Sequence, residues 1–140
     1  MTDICMKNKL LADSDFFIAL YKSNDSNNDK ALKILEGIGE KELELTFSVF
    51  VYAEVTTVLS MRIGKKTARH FMDDVEKVNF EIVQNTEALF RRSREIFYSN
   101  PSKNISFTDA TNLALAEIEG FDSIVSFDRH YPKNGLKLFR

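Results

Sequence analysis

Hydrophobic positions along the chain fall into short solid runs separated by longer stretches with helical spacing. Leu10, Leu11 and Ala12 form an apolar run that stops at Asp13, the pattern of a buried strand. Residues 16–21 read as a helix after it. Residues 23–29 are rich in turn and cap formers and predict a loop between helices. Ala31, Leu32, Ile34, Leu35 and Ile38 have the spacing of an amphipathic helix, which Gly37 and Gly39 help to end. Residues 43–47 predict a second strand, and Ser48 a cap for a helix running to about Arg62. Beyond Gly64, the remaining helices are predicted over 65–78, 86–98 and 106–119, the last ending at Gly120. Residues 80–83, 123–127 and 136–139 supply the third, fourth and fifth strands.

Strands separated by helical segments predict an α/β fold with a mainly parallel sheet of about five strands flanked by helices. Every connection is long enough for a crossover except the last. Ligands of such sheets bind at the carboxyl ends of the strands, near a topological switch point. The polar residues at those ends are therefore the candidates for chemistry.

Composition narrows the class. The 140 residues suit one domain spanning 1–140, and 44% apolar with 29% charged residues excludes general disorder. No apolar run approaches the roughly 18 residues of a membrane span, so no membrane association is expected. The first nine residues lack the long apolar stretch of a signal peptide, and a cytoplasmic location is expected. Cys5 is the only cysteine, which excludes an intramolecular disulfide and a cysteine zinc site. The net charge of −2 is not the basic excess of many stand-alone nucleic-acid-binding domains.

Four acids follow or sit within apolar elements. Asp13 ends the first strand, and Asp128 comes directly after the fourth. A parallel sheet brings both to one edge, although each also reads as a cap. Glu54 is the only charged residue between Glu44 and Arg62, with Phe50, Val51 and Val58 as its helical neighbours. A carboxylate on that surface is costly unless paired, metal-bound or protonated. Asp109 lies in Ser106-Phe-Thr-Asp109, which also resembles a capping box. Asn112 and Thr108 lie close by on the same helix.

Four converging carboxylates cannot all stay ionised without a cation. Hard oxygen donors without cysteine favour Mg²⁺ or Mn²⁺, ions that activate water and stabilise charge at a phosphoryl centre. Setting these four acids aside leaves the rest of the chain at +2, a balance that suits a polyanionic substrate.

The pattern resembles the PIN-domain ribonucleases, and among them the VapC-type toxins of toxin–antitoxin pairs. Four segments carry the resemblance: Leu11-Ala-Asp13-Ser-Asp15-Phe-Phe-Ile, the helix containing Glu54, Ser106-Phe-Thr-Asp109-Ala, and Val125-Ser-Phe-Asp128-Arg-His-Tyr. They occur in the family order and span nearly the whole chain. The resemblance implies a PIN-like, Rossmann-like three-layer fold, a pocket of acids holding divalent metal, and metal-assisted hydrolysis of RNA. It matches Asp13, Glu54, Asp109 and Asp128 to the four family acids, as catalytic residues and metal ligands, and Ser126 to the small hydroxyl residue two before the last acid. Asp15 stands where the family often has Asn; it is read first as a cap of the first helix and second as added charge at the site. Asn112 is a further supporting candidate. An antitoxin protein and a homodimer are the implied partners.

The remaining features have plainer readings. Lys65, Lys66, Arg69 and His70, and separately Arg91, Arg92 and Arg94, are candidate phosphate-binding clusters, but charge runs are usually solvated helix faces. Neither His70 nor His130 is expected to bind metal. Phe16 and Phe127 are near the acids and are candidates for stacking. Phe17, Leu20 and Tyr21 offer either core or a dimer surface. Three rival functions remain: a haloacid-dehalogenase-type phosphatase using Asp13-Ser-Asp15, an RNA-processing or decay nuclease without an antitoxin, and a binding module on the same scaffold. The phosphatase is disfavoured because Phe16-Phe17 follows Asp15 where that family wants a small turn.

Overall fold

A computed structural model describes residues 8–78 and 80–139; the readings made on Cys5 and the first residues lie outside the described part. The elements in chain order are β1 (Lys9–Ala12), α1 (Ser14–Tyr21), α2 (Asn28–Glu40), β2 (Glu44–Ser48), α3 (Val49–Arg62), α4 (Lys65–Val78), β3 (Glu81–Val83), α5 (Glu87–Ser99), α6 (Phe107–Glu119), β4 (Ser123–Val125), α7 (His130–Lys133) and β5 (Lys137–Leu138). The strands form one sheet in the order β3-β2-β1-β4-β5, and every pairing is parallel. The α/β expectation with five parallel strands therefore holds.

Strand alternation divides the core into two. Leu10, Ala12, Leu45, Phe47 and Val125 face one side of the sheet, where α1 to α4 cover them. Leu11 and Ile124, paired in register, face the other side, where they pack with Leu89, Leu115 and Tyr131 of α5, α6 and α7. Both faces of the central strands are thus apolar, which is why β1 reads as a continuous hydrophobic run.

Three boundaries differ from the sequence reading. Gly37 and Gly39 lie inside α2 and do not end it. The helix closes where Glu42 takes a left-handed conformation (φ 54°), with the Leu43 N–H donating to the Ile38 carbonyl. Strand β4 stops at Val125, because Ser126 and Phe127 turn their polar atoms to side chains of the site. The connection that looked too short for a crossover contains the one-turn helix α7, and β5 still returns parallel to β4. Among the described residues no helix is long and apolar enough to cross a membrane.

The strand order reverses between β1 and β4. Chain leaves β1 toward β2 and β3 on one side, while β4 and β5 build the other, so a crevice opens at the carboxyl ends of β1 and β4. Asp13 and Ser126 are the first residues beyond those ends.

Candidate active site

Asp13 is 3% exposed and serves as the N-cap of α1, its Oδ1 accepting from the Ser14 N–H at 2.7 Å. The capping role does not exhaust it. Oδ1 also accepts from Asn112 Nδ2 at 3.0 Å, and Oδ2 accepts from the Tyr131 hydroxyl at 2.9 Å and lies 3.2 Å from Ser126 Oγ. Asn112 sits on α6, Tyr131 on α7 and Ser126 after β4, so one carboxylate ties three chain segments to the end of β1.

Asp109 likewise combines two roles. The Ser106 capping box is present: Ser106 Oγ accepts from the Asp109 N–H at 3.0 Å, and Asp109 Oδ2 accepts from the Ser106 N–H at 2.8 Å. Its other oxygen, Oδ1, lies 3.3 Å from the Tyr131 hydroxyl. The box fixes the carboxylate so that one edge remains for the crevice.

Asp128 follows β4 through a short turn in which Ser126 Oγ accepts from the Asp128 N–H at 3.1 Å. Ligand atoms of Asp109, Asp128 and His130 lie within 4.8 Å of one another. His130 was not expected among them. Its Nδ1 is 2.8 Å from Asp128 Oδ1 and its Nε2 3.9 Å from Asp109 Oδ2, yet neither nitrogen makes an aligned hydrogen bond. The short Nδ1 contact is therefore one of proximity, with the ring directed away from the line of a good bond.

Asp15 does not cap α1; Asp13 does. Asp15 Oδ2 instead accepts from the Phe127 N–H at 2.8 Å and from Ser126 Oγ at 3.0 Å, bracing the loop after β4. Its Oδ1 is buried without a hydrogen-bond partner, as is Asn112 Oδ1. Glu54 stands apart. It is half-buried on α3, beside the buried stripe Val51, Val55 and Leu59, and no hydrogen bond or ion pair among the described residues joins it to the other acids.

The electrostatics follow from the crowding. Burial, then the Asp15 charge, pushes the Asp13 carboxyl up to about 7, with Asp109 adding to the rise. Burial likewise pushes Asp15 up to about 6, against the lowering effect of its hydrogen bonds from Phe127 and Ser126. The Tyr131 phenol is driven far above its usual range by burial and the charges of Asp13 and Asp109, so it stays a donor. Asp128 moves the other way: burial works to raise it, but the His130 backbone and side chain and the Lys133 charge hold it below the usual carboxylate range. Without a cation, Asp13 gives up its proton only near neutrality and Asp15 at slightly lower pH.

These features fit a divalent cation. The donors are carboxylates with one imidazole, buried acceptors lack partners, and the acids repel one another. Asp109, Asp128 and His130 are the side chains whose ligand atoms converge enough to hold one, with Tyr131 standing between Asp109 and Asp13.

Sequence reasoning missed Tyr131, the group that stands between Asp13 and Asp109. Its signal was the spacing Asp128-x-x-Tyr131, one helical turn, on a segment too short to show periodicity. The basic clusters fare differently. Arg91 pairs with Glu87 at 2.6 Å, Arg92 with Glu117 at 2.6 Å, and Arg94 lies over the Tyr98 ring, so the α5 cluster is largely spent on its own surface. Lys65, Lys66 and Arg69 are exposed on α4. Phe16 is fully buried and unavailable for stacking; Phe17 is core, and Tyr21 donates to Asp74.

A parallel sheet that reverses at β1 and β4, with acids gathered at that crevice, defines a Rossmann-like acidic metal-site fold. The PIN domain model matches residues 10–136, and the chain belongs to the PIN domain family. No curated protein sequence matches it. Among solved structures it is similar to VapC20 of Mycobacterium tuberculosis, described as a sarcin–ricin-loop-cleaving toxin, at 22% identity and TM-score 0.84, covering 94% of this chain and 98% of that one. It is also similar to VapBC2 of Rickettsia felis, solved bound to a DNA fragment from its promoter, at 14% identity and TM-score 0.65, covering 94% and 97%.

Proposed function

We propose that the chain is a divalent-metal-dependent endoribonuclease, the toxin of a toxin–antitoxin pair. The observation that carries the reading is the meeting of Asp13, Asp109 and Asp128 around Tyr131 and Ser126 at the β1–β4 crevice. Acids this close make sense around a cation and a phosphodiester, and little sense as a surface for binding a polyanion alone.

When bound, Mg²⁺ or Mn²⁺ supplies activated water and stabilises the charge that develops at phosphorus. Asp13, Asp109 and Asp128 hold it. Asn112, Tyr131 and the Ser14 N–H fix the Asp13 carboxylate by donating to it, so its orientation is set before substrate arrives. Asp15 fixes the loop that carries Asp128. Glu54, free of hydrogen bonds among the described residues, serves as a ligand or as the base that orients water. Hydrolysis of this kind leaves a 5′-phosphate and a 3′-hydroxyl. RNA as substrate, an antitoxin partner, a homodimer and a cytoplasmic location rest on PIN membership and on the likeness to the two toxin structures.

The test is cleavage of a mixed set of structured and single-stranded RNAs by antitoxin-free protein in Mg²⁺, Mn²⁺ or EDTA, beside Asp109→Asn. Cutting that needs metal and disappears in the variant supports the reading. Folded, metal-binding protein that leaves every RNA intact counts against it.

A further inference from the structure

On the α2 side of the loop after β4 lies a cleft of about 490 Å³, a size suited to a small organic group such as a nucleotide. Lys30 and Lys33 of α2 and Arg129 of the loop line it, together with the half-buried rings of Phe127 and Phe139. Ser126 forms the wall shared with the acidic crevice, since its Oγ lies 3.0 Å from Asp15 Oδ2 and 3.2 Å from Asp13 Oδ2 and can donate its one proton to either. Lys41 adds a fourth cation, 5.3 Å above the Phe139 ring.

The three lining cations differ from those of α5. Among the described residues none of them lies within 4 Å of a carboxylate, whereas Arg91 and Arg92 are each paired. Lys30 and Lys33 are exposed and spaced three apart, so they project from one face of α2. Unpaired cations around two aromatic rings are the arrangement that binds single-stranded nucleic acid, with phosphates on the cations and a base against a ring. The arrangement also answers a problem set by the site: an acidic crevice repels a polyanion, and a neighbouring cationic track offsets that repulsion.

We propose that this cleft is a subsite for a nucleotide of single-stranded RNA adjoining the cleaved bond, with Lys30, Lys33 and Arg129 on its phosphates and Phe127 or Phe139 against its base. The assignment rests on the nuclease reading, and its test separates the two. Binding of a 12-nucleotide mixed-sequence RNA is measured by fluorescence anisotropy on Asp109→Asn protein in Mg²⁺, across a range of salt. Lys30→Gln with Lys33→Gln, added to that protein, is compared with the charge-matched pair Arg62→Gln with Lys77→Gln.

The expected result for the cleft pair is binding weaker on the order of tenfold at low salt, and a salt slope lower by about 1.4 for two lost phosphate contacts on a single strand. The control pair keeps the slope. In cleaving protein the cleft pair raises KM and leaves kcat within about twofold. Equal effects of the two pairs would overturn the subsite, as would an unchanged slope. A cleft pair that binds RNA normally but loses affinity for an acidic peptide would reassign the cleft to a protein partner. Because binding is read without turnover, an inactive wild-type protein with a normal cleft effect would refute the nuclease reading alone.

Discussion

The Tyr131 hydroxyl lies 2.9 Å from Asp13 Oδ2 and 3.3 Å from Asp109 Oδ1, and it accepts from Asn112 Nδ2 at 2.8 Å. A phenol has one proton, so it can donate to only one of the two carboxylates at a time. The shorter contact favours Asp13 and leaves Asp109 facing oxygen lone pairs. Tyr131 therefore binds Asp13 and stands between it and Asp109, separating two acids that repel, and Tyr131→Phe removes the hydroxyl while keeping the buried ring. The variant leaves an Asn112 N–H and an Asp13 oxygen without their partner, which costs about 1–3 kcal/mol in metal-free protein. Urea unfolding in EDTA and in Mg²⁺ checks this: the loss should be larger in EDTA, because a cation offsets the repulsion between the acids.

Asp13 and Asp15 set a pH dependence for metal-free protein. Both carboxyls are raised from the ordinary 3.8 of an aspartate, Asp13 to about 7 and Asp15 to about 6, so the folded state binds more protons than the unfolded one across that window. Stability from this pair is full below about pH 4 and is lost as pH rises toward about 7. Asp13→Asn removes the main titrating group, and its melting temperature in EDTA should vary less than that of wild type between those limits. Mg²⁺ should restore much of the wild-type loss at pH 8. Parallel pH profiles for wild type and Asp13→Asn would refute the assignment.

Much of this fold was legible because the pattern and the packing agree. Among the described residues six of the seven helices carry their own caps or apolar spacing, and β1 is apolar from Leu10 to Ala12 because both its faces are covered there. What stayed hidden was short or tertiary. Helix α7 has four residues, includes Pro132, and shows no period. Asp15 sits in the first turn of α1, where local reasoning assigns a cap, and only the distant Phe127 N–H reveals its role. At Asp13 and Asp109 the capping and site readings were offered as alternatives; the two oxygens of a carboxylate allow both at once. Tyr131 was one tyrosine of four, and nothing local distinguishes the one that lies between acids.

The packing of α1 gives a stability prediction. Phe17 is 1% exposed, with ring centroids 5.3 Å from Phe16, 4.9 Å from Phe47, 5.5 Å from Phe71 and 6.2 Å from Phe80. It ties α1 to β2, α4 and the residue that precedes β3. Phe17→Ala should cost about 3–5 kcal/mol by denaturant unfolding, because the surrounding rings cannot all collapse into the space. A loss below about 1 kcal/mol would mean that the cluster repacks freely.

Glu54 provides the sharpest separation of catalysis from structure. Asp13 and Asp109 both cap helices, so losing activity on their substitution mixes chemistry with folding. Glu54 caps nothing and makes no hydrogen bond or ion pair among the described residues; its helix is held by Val51, Val55 and Leu59. Glu54→Gln keeps the side-chain shape and should change stability by no more than about 0.5 kcal/mol. If Glu54 orients or deprotonates the attacking water, cleavage should fall by about 10²–10⁴-fold. Metal affinity then decides between its two roles. Weaker Mg²⁺ binding, read by calorimetry, marks a ligand, and unchanged binding with lost turnover marks a base. Full activity in Glu54→Gln would remove this residue from the site and leave the chemistry to Asp13, Asp109 and Asp128.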